Sequence, residues 1–338
     1  MSDRAAIIAQ FLADAGWGDA ARGPLAGDAS FRRYERLRLD DHSAVLMDAP
    51  PPKEDVRPFV AVTGHLQALG HSAPKLLAKD EKAGLLLIED LGDATFTRVI
   101  AEGADRAQLY EAAVDLLAHM HETPVTQTYA EQVPPYDEAT LLREANLLID
   151  WFIPAQIGHP IAPSAKRAYE SIWQGLVPII EGAGRTLVLR DFFADNLMWL
   201  PSRTGHQRVG LLDYQDALAG SPAYDLMSLI EDARRDMAPE LEQRLLARYR
   251  AARQEFDAAA FDAAYVVLAA QRHAKVIGIF TRLAVRDGKF GYLSHIPRVW
   301  RLLERACRDP RLAALQNWLD THVPPALRCA PELQEAAQ

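Results

Sequence analysis

Cysteine is nearly missing from this chain: Cys307 and Cys329 are the only two in 338 residues. Two thiols can build neither a disulfide framework nor a CxxC metal pattern, and such scarcity fits reduced thiols in a cytoplasmic protein. Long apolar runs are missing too. No stretch approaches the roughly 20 residues that a bilayer span requires, so no membrane partner is expected. At the N-terminus Ile7, Ile8, Phe11, Leu12 and Ala15 share one helical face. Asp14 interrupts any signal-peptide core there. Positive charge is in deficit, with 37 Lys and Arg against 46 Asp and Glu and a net charge of −9. That balance argues against a nucleic-acid partner, whose affinity comes from phosphate neutralisation, but leaves room for a local basic pocket around a phosphorylated ligand. Internal repeats and low-complexity stretches are absent as well. What remains is a globular composition, 49% apolar, long enough for about two domains at roughly 150 residues each.

The first ninety residues mix strands with one helix. "SFRRYERLRL" alternates apolar and polar from Phe31 to Leu39 and reads as a strand, with "SAVLMDA" as its neighbour after the turn "DDH". "PPPKED" excludes helix interior and central sheet. Phe59, Val62, Leu66 and Leu69 then sit at helical spacing, and Gly70 is placed to end that helix. "AGLLLIEDLGD" is a buried strand running out at Glu89–Asp90. Beyond it the pattern turns helical, through Leu109–Met120, Leu141–Ile149 and residues 163–180. Three short strands, "TLVL", "LMWL" and "VGLL", interrupt before the helices resume from Pro222 to about Leu319, with breaks at Gly288–Gly291 and near Pro310. The pattern predicts a small strand-rich lobe over 1–90 and a larger helical lobe over 91–330.

The strands "LMWL" and "VGLL" flank "PSRTGHQR", whose Pro, Ser and Gly mark a turn. If they pair symmetrically about that loop, Leu200 faces Val209 and Asn196 faces Asp213. Opposed residues of an antiparallel pair lie about 4.5–5.5 Å apart on one side. An amide oxygen and a carboxylate would then converge as a hard-oxygen site suited to Mg²⁺, with water and phosphate completing its shell. Asp191, just upstream, is placed to take a proton from an attacking hydroxyl. Each of these residues alone could be an ordinary turn residue. The ordered set D-x₄-N…D on a hairpin points to phosphoryl transfer.

"RDFFADN" followed by "LLDYQDA" resembles the catalytic loop and metal-binding Asp of the protein-kinase-like fold. The longer run "DYQDALAGSPAYDL" is similar to the aminoglycoside phosphotransferase and choline-kinase branch. "GDASFRRY", "VLMDAPPPKEDVRPFV" and "QRHAKVIGIFTRLAVRDGK" resemble the bacterial anomeric amino-sugar kinases, which phosphorylate N-acetylmuramate and N-acetylglucosamine at C1 during cell-wall recycling. The likeness runs from about residue 20 to 305. It implies an α+β, two-lobed kinase fold, ATP and Mg²⁺ as cofactors, and a small-molecule amino sugar as partner. It also implies Asp191 as catalytic base, Asn196 and Asp213 as metal ligands, and Asp216 as an aid at the metal or substrate. Asp225 would hydrogen-bond the catalytic-loop backbone, or serve as a plain helix N-cap.

Within the resemblance, "AGDASF" would be the turn covering the phosphates, with Gly27 permitting positive φ and Ser30 donating to phosphate oxygen. Backbone groups of Glu89 and Leu91 would meet the adenine edge. Gln271, Arg272 and Lys275, near one helical face, would meet the lactyl carboxylate of N-acetylmuramate, or form an exposed basic face. His273 reads as a packed histidine, and Trp151 as either a sugar-stacking or a core residue. Two departures stand out. Leu189 replaces the loop histidine, and Met47, which cannot donate a hydrogen bond, replaces the phosphate-holding lysine of the third strand. Arg32, Arg33 and Lys53 are the candidates to supply that charge, or are solvated surface groups. Other acceptors, such as an aminoglycoside or another hydroxyl compound, and a nucleotide-binding scaffold without catalysis remain open. The basic "QRHAK" stretch leans toward an anionic acceptor.

Overall fold

The computed structural model describes residues 2–25, 31–123, 133–253 and 257–333. In chain order, α1 (Ser2–Asp14) leads into β1 (Ala21–Pro24), β2 (Arg33–Leu39), β3 (His42–Asp48), α2 (Arg57–Ala68), β4 (Leu76–Asp80) and β5 (Leu85–Glu89). Helices follow: α3 (Phe96–Ala101), α4 (Arg106–Glu122), α5 (Glu138–Leu147), a π-helical turn (Leu148–Phe152), α6 (Ile153–Ile157) and α7 (Pro163–Gly182). Four short strands come next, β6 (Thr186–Val188), β7 (Leu197–Trp199), β8 (Val209–Leu211) and β9 (Leu218–Gly220). The chain closes with α8 (Ala223–Ile230), α9 (Pro239–Ala252), α10 (Ala258–Asp287), α11 (Ile296–Ala306) and α12 (Ala313–His322). These elements divide into two compact units, residues 1–120 with 191–217, and residues 121–190 with 218–338.

The first unit is built on an antiparallel sheet of order β1-β2-β3-β5-β4. β3 and β5 carry the unbroken apolar runs and lie inside the sheet, where both faces are covered. Ile8 and Leu12 of α1 pack on Leu37, Ala44, Leu46, Leu85 and Leu87. Each fully buried aliphatic side chain there contributes about 1.5–3 kcal/mol. α2 buries Phe59, Val62 and Leu66, and Gly70 takes a positive φ of 78° just beyond its end. β1 and β4, the edge strands, have no counterpart in the sequence reading, since "ARGP" and "LLAKD" lack alternation. The ribbon β7–β8 belongs to this unit as well. Isolated bridges join Ser72 to Gly210 and Thr95 to Met198. A Cβ on Gly210 would lie 2.9 Å from Met198 Cβ and 3.1 Å from Leu91 Cδ1. The unit therefore extends beyond the expected 1–90 segment and takes in α3, most of α4 and the ribbon.

In the second unit the 30-residue α10 is the axis, starting at Asp257, whose side chain accepts from the amides of Ala259 and Ala260. It packs against α5, α7, α8 and α11. At Gly278 it approaches α5 so closely that a Cβ would stand 2.2 Å from the Leu147 carbonyl carbon. β6 pairs with β9, a strand the sequence reading did not anticipate, in the register Thr186↔Gly220 and Val188↔Leu218. The breaks expected near 288 and 310 are present, with Gly288 left-handed after α10 and a 3₁₀ turn at Pro310–Leu312. No helix among the described residues is long and apolar enough to cross a membrane.

Candidate active site

The ribbon forms with a different register from the symmetric one. Trp199 pairs with Val209 and Leu197 with Leu211, Leu200 N bonds to Arg208 O at 2.8 Å, and Leu212 N bonds to Asn196 O at 3.0 Å. Asn196 therefore faces Leu212 rather than Asp213, because a 3₁₀ turn at Gly205–Arg208 takes up part of the loop. A one-residue slip in a regular strand would send the two side chains to opposite faces. Asp213 escapes that rule by leaving the strand conformation: its φ is +57°, a left-handed state that Asp tolerates better than most residues. As a result Asn196 and Asp213 line one and the same cavity.

That cavity, about 410 Å³, lies within the first unit and is also lined by Met47, Phe59, Ile88, Glu89 and Leu91. Its volume is in the range of small-molecule sites. Asn196 Nδ2 donates to the Asp191 carbonyl at 3.0 Å, which turns Oδ1 away from that carbonyl. The donor set of one amide oxygen and one carboxylate fits Mg²⁺, which takes few protein oxygens and keeps water or phosphate in the rest of its shell. Asp213 Oδ1 is 3.5 Å from Arg32 and 2.8 Å from Gln215 Nε2, so a cation already stands beside it. Burial opposes the charge on Arg32, but Tyr34, Asp213, Glu54 and Asp216 outweigh it, and the pKa is raised. Tyr214 anchors the strand exit. Its ring stacks on Phe59 at 5.1 Å and its hydroxyl lies 2.7 Å from Thr63 Oγ1. Asp195 is hydrogen-bonded by Thr97.

The backbone entering Asp191 is held from within the second unit. Asp225, 1% exposed, accepts from Leu189 N at 2.6 Å and Arg190 N at 2.9 Å. Arg190 is left-handed at φ +71° and its carbonyl receives Arg272 at 3.1 Å. Among the described residues only Asp40, Arg190 and Asp213 combine a side chain with positive φ. Asp40 sits in a hairpin turn, whereas the other two flank the segment 191–212. Such strained conformations cost about 1–3 kcal/mol each and concentrate at functional sites. Leu189, in the place of the kinase histidine, is 3% exposed and packs as an apolar residue.

Gln271, Arg272 and Lys275 are buried, so an exposed basic face is ruled out for them. Gln271 and Lys275 converge on Glu144, while Arg272 donates to the Arg190 carbonyl and to Tyr224 Oη. Lys275 Nζ donates to Glu144 Oε1 at 2.8 Å and to Tyr224 Oη at 3.2 Å. Tyr136 Oη lies 2.7 Å from Glu144 Oε2 and 2.9 Å from Gln271 Oε1, and Arg190 also pairs with Glu144. Burial pushes the Glu144 carboxyl up, but Lys275 and Arg190 outweigh it and hold the pKa at about 2. His273 is a packed residue, 2.7 Å from Glu231. Trp151 is half-buried on the π-helical turn.

Of the remaining expected residues, Glu89 and Leu91 line the cavity. Asp216 is exposed near Arg32, and Arg33 is exposed at the start of β2 and does not line the cavity. Gly27 and Ser30 lie outside the described residues. Lys53 stacks over Phe31 at 4.5 Å. The sequence reading missed two arginines of the cavity wall, Arg36 and Arg98. Arg36 is fixed by Asp90 at 2.8 Å and Asp93 at 2.9 Å. Its signal was available, since strand alternation puts Arg36 on the face of Tyr34, another lining residue.

A small antiparallel sheet, a helical second unit and a D-x₄-N…D loop define the kinase-like α+β class. The phosphotransferase enzyme family matches residues 22–263. The chain belongs to that family. It is 41% identical to an N-acetylmuramate/N-acetylglucosamine kinase of Caulobacter vibrioides, over 96% of this chain and 98% of that one. An enzyme of the same name from Pseudomonas aeruginosa is 38% identical over 91% of both chains. In fold the chain resembles choline kinase LicA of Streptococcus pneumoniae, with a TM-score of 0.61 at 14% identity, covering 92% of this chain and 99% of that one.

Proposed function

We propose that the protein is a cytoplasmic, ATP- and Mg²⁺-dependent kinase that phosphorylates the anomeric hydroxyl of an N-acetylated amino sugar, N-acetylmuramate or N-acetylglucosamine. The observation that carries this reading is the end-to-end likeness to the Caulobacter kinase, 41% identical over 96% of the chain. The cavity agrees with it, since the expected adenine-edge residues Glu89 and Leu91 share it with Asn196 and Asp213.

In this reading Asp191 accepts the proton of the sugar hydroxyl as its oxygen attacks the γ-phosphorus. The bond from that phosphorus to the bridging oxygen breaks, and ADP leaves with the electron pair. Asn196 Oδ1 and the Asp213 carboxylate would hold Mg²⁺, which when bound neutralises charge on the phosphate oxygens. Arg36, with Arg32 beside Asp213, supplies the positive charge that Met47 cannot; Gly27 and Ser30 would cover the phosphates, and Asp216 assists from the ribbon exit. The anomeric hydroxyl is more acidic than an ordinary alcohol, so a carboxylate suffices as base. Asp225 fixes the loop that leads into Asp191. Gln271, Arg272 and Lys275 shape the acceptor side through Tyr136 and Tyr224, and Arg272 steadies the Arg190 carbonyl.

The test is a panel of acceptors with ATP and Mg²⁺, read by phosphorus–proton NMR. Phosphate on C1 of an N-acetylated amino sugar is the expected product. Turnover of choline or an aminoglycoside with none of the amino sugars would overturn the assignment.

A further inference from the structure

Three histidines from distant parts of the chain meet in the first unit. His71 follows α2, His119 lies on α4, and His206 lies in the turn between β7 and β8. None of them lines the cavity described above. One ligating nitrogen from each lies within 4.8 Å of the other two. His71 is 4% exposed, and neither of its ring nitrogens has a hydrogen-bond partner among the described residues. His206 Nε2 is unpartnered in the same way. An unmet buried polar group costs about 1–3 kcal/mol, so a fold that leaves both His71 nitrogens and His206 Nε2 bare beside a third imidazole calls for a ligand.

We propose that His71, His119 and His206 bind one divalent transition-metal ion of the zinc class, separate from the phosphoryl-transfer cavity, which clamps the β7–β8 turn to α2 and α4. Three neutral imidazoles suit Zn²⁺ and its neighbours, whereas Mg²⁺ takes oxygen ligands. His119 and His206 stack at 4.0 Å with an interplanar angle of 18°, and the His71 ring stands 5.3 Å from each. Stacked rings carry their lone pairs side by side. Binding therefore requires one ring to turn, bringing the nitrogens to the ~3.4 Å separation that bonds of about 2.0–2.1 Å impose. His119 is the exposed one of the three, so it is the ring that turns, and it opens the fourth position to water.

The experiment uses the untagged full chain, stripped of metal with a chelator. Co²⁺ is added as the visible probe and Zn²⁺ is then competed against it with a chelating dye. The expected result is one ion per chain, a Co²⁺ d–d absorption displaced by Zn²⁺, and a thermal midpoint that rises with Zn²⁺. His119→Ala and His206→Ala should each weaken binding by ~100-fold or more and abolish the thermal rise. Both should melt like the parent without metal, and His159→Ala at an exposed position should change nothing. Asp213→Ala should keep the Co²⁺ band. An ion lost in Asp213→Ala, binding undiminished in both histidine variants, or no Co²⁺ band in the parent would each overturn the proposal.

Discussion

Asp213 in the first unit and Glu144 in the second are both carboxylates held by arginine, in opposite settings. The Asp213 side chain is 26% exposed, and its arginine stands 3.5 Å away. The Glu144 side chain is 5% exposed and meets Lys275, Arg190 and Tyr136 at once. A carboxylate that keeps about a quarter of its surface in water and meets its arginine only at 3.5 Å can exchange that partner for another cation at small cost, because water screens both states. A buried carboxylate with several donors cannot, because any change strands a charge away from water. The same chemistry thus serves an exchangeable site in one unit and a fixed scaffold in the other.

The strongest way to sharpen this contrast is Asp191→Asn on the cavity side. Loss of the proposed base should lower kcat by roughly 10²–10⁴-fold, with Mg-nucleotide binding retained in an equilibrium titration. Turnover at the parent rate would remove Asp191 from that role. On the scaffold side, Lys275→Met leaves Glu144 short of a buried partner and should cost about 3–5 kcal/mol of unfolding free energy in urea. Lys275→Met combined with Glu144→Gln should recover part of that loss, since the stranded charge goes. If Lys275→Met instead leaves stability intact and raises the KM for the sugar, Lys275 touches substrate and the contrast fails.

Acid offers a finer version of the same comparison. The Glu144 pKa is lowered to about 2, the outcome of Lys275 and Arg190 overcoming burial. A depressed carboxylate stabilises the native state fully above its unfolded pKa and loses that contribution as pH falls toward the folded one. The window is therefore pH 4.5 down to 2, and the loss across it is on the order of 3 kcal/mol. Stability curves in urea should show this slope in the parent and a shallower one in Glu144→Gln.

How much of this could be read without coordinates depended on whether the signal was local. Alternation from Phe31 to Leu39 and the spacing of Phe59, Val62 and Leu66 foretold β2 and α2, because burial of one face writes a period into the sequence. The edge strands β1 and β4 and the three-residue β9 carry no such period. The spacing of Gln271, Arg272 and Lys275 told that they are neighbours but not whether they face water or core. Glu144, the partner of Gln271 and Lys275, is 131 residues away from Lys275. Asn196 and Asp213 line one cavity, but not through the expected register: the left-handed turn at Asp213 compensates for a slip that no residue pattern announces. His71, His119 and His206 have no spacing rule at all, since only tertiary packing joins them.

The gentlest perturbation concerns how Asp213 is aimed. The next residue, Tyr214, is fully buried, stacks on Phe59, and places its hydroxyl 2.7 Å from Thr63 Oγ1, itself buried. Tyr214→Phe leaves that threonine hydroxyl unmet and should cost about 1 kcal/mol, and Thr63→Val should cost a similar amount by stranding the phenol. Combining them removes both polar groups, so the double variant should be less destabilised than the sum of the two. Neither change touches a charge in the cavity. If the Tyr214 anchor only supports the core, kcat and KM should stay at parent values as stability falls. If it sets the left-handed turn, kcat should drop several-fold with a raised Mg²⁺ requirement, and the double variant should keep that defect despite its recovered stability. The second outcome is expected, because Asp213 at φ +57° has its backbone fixed on the far side by the Tyr214 ring and hydroxyl. A turn held in a costly conformation relaxes when its anchor is loosened.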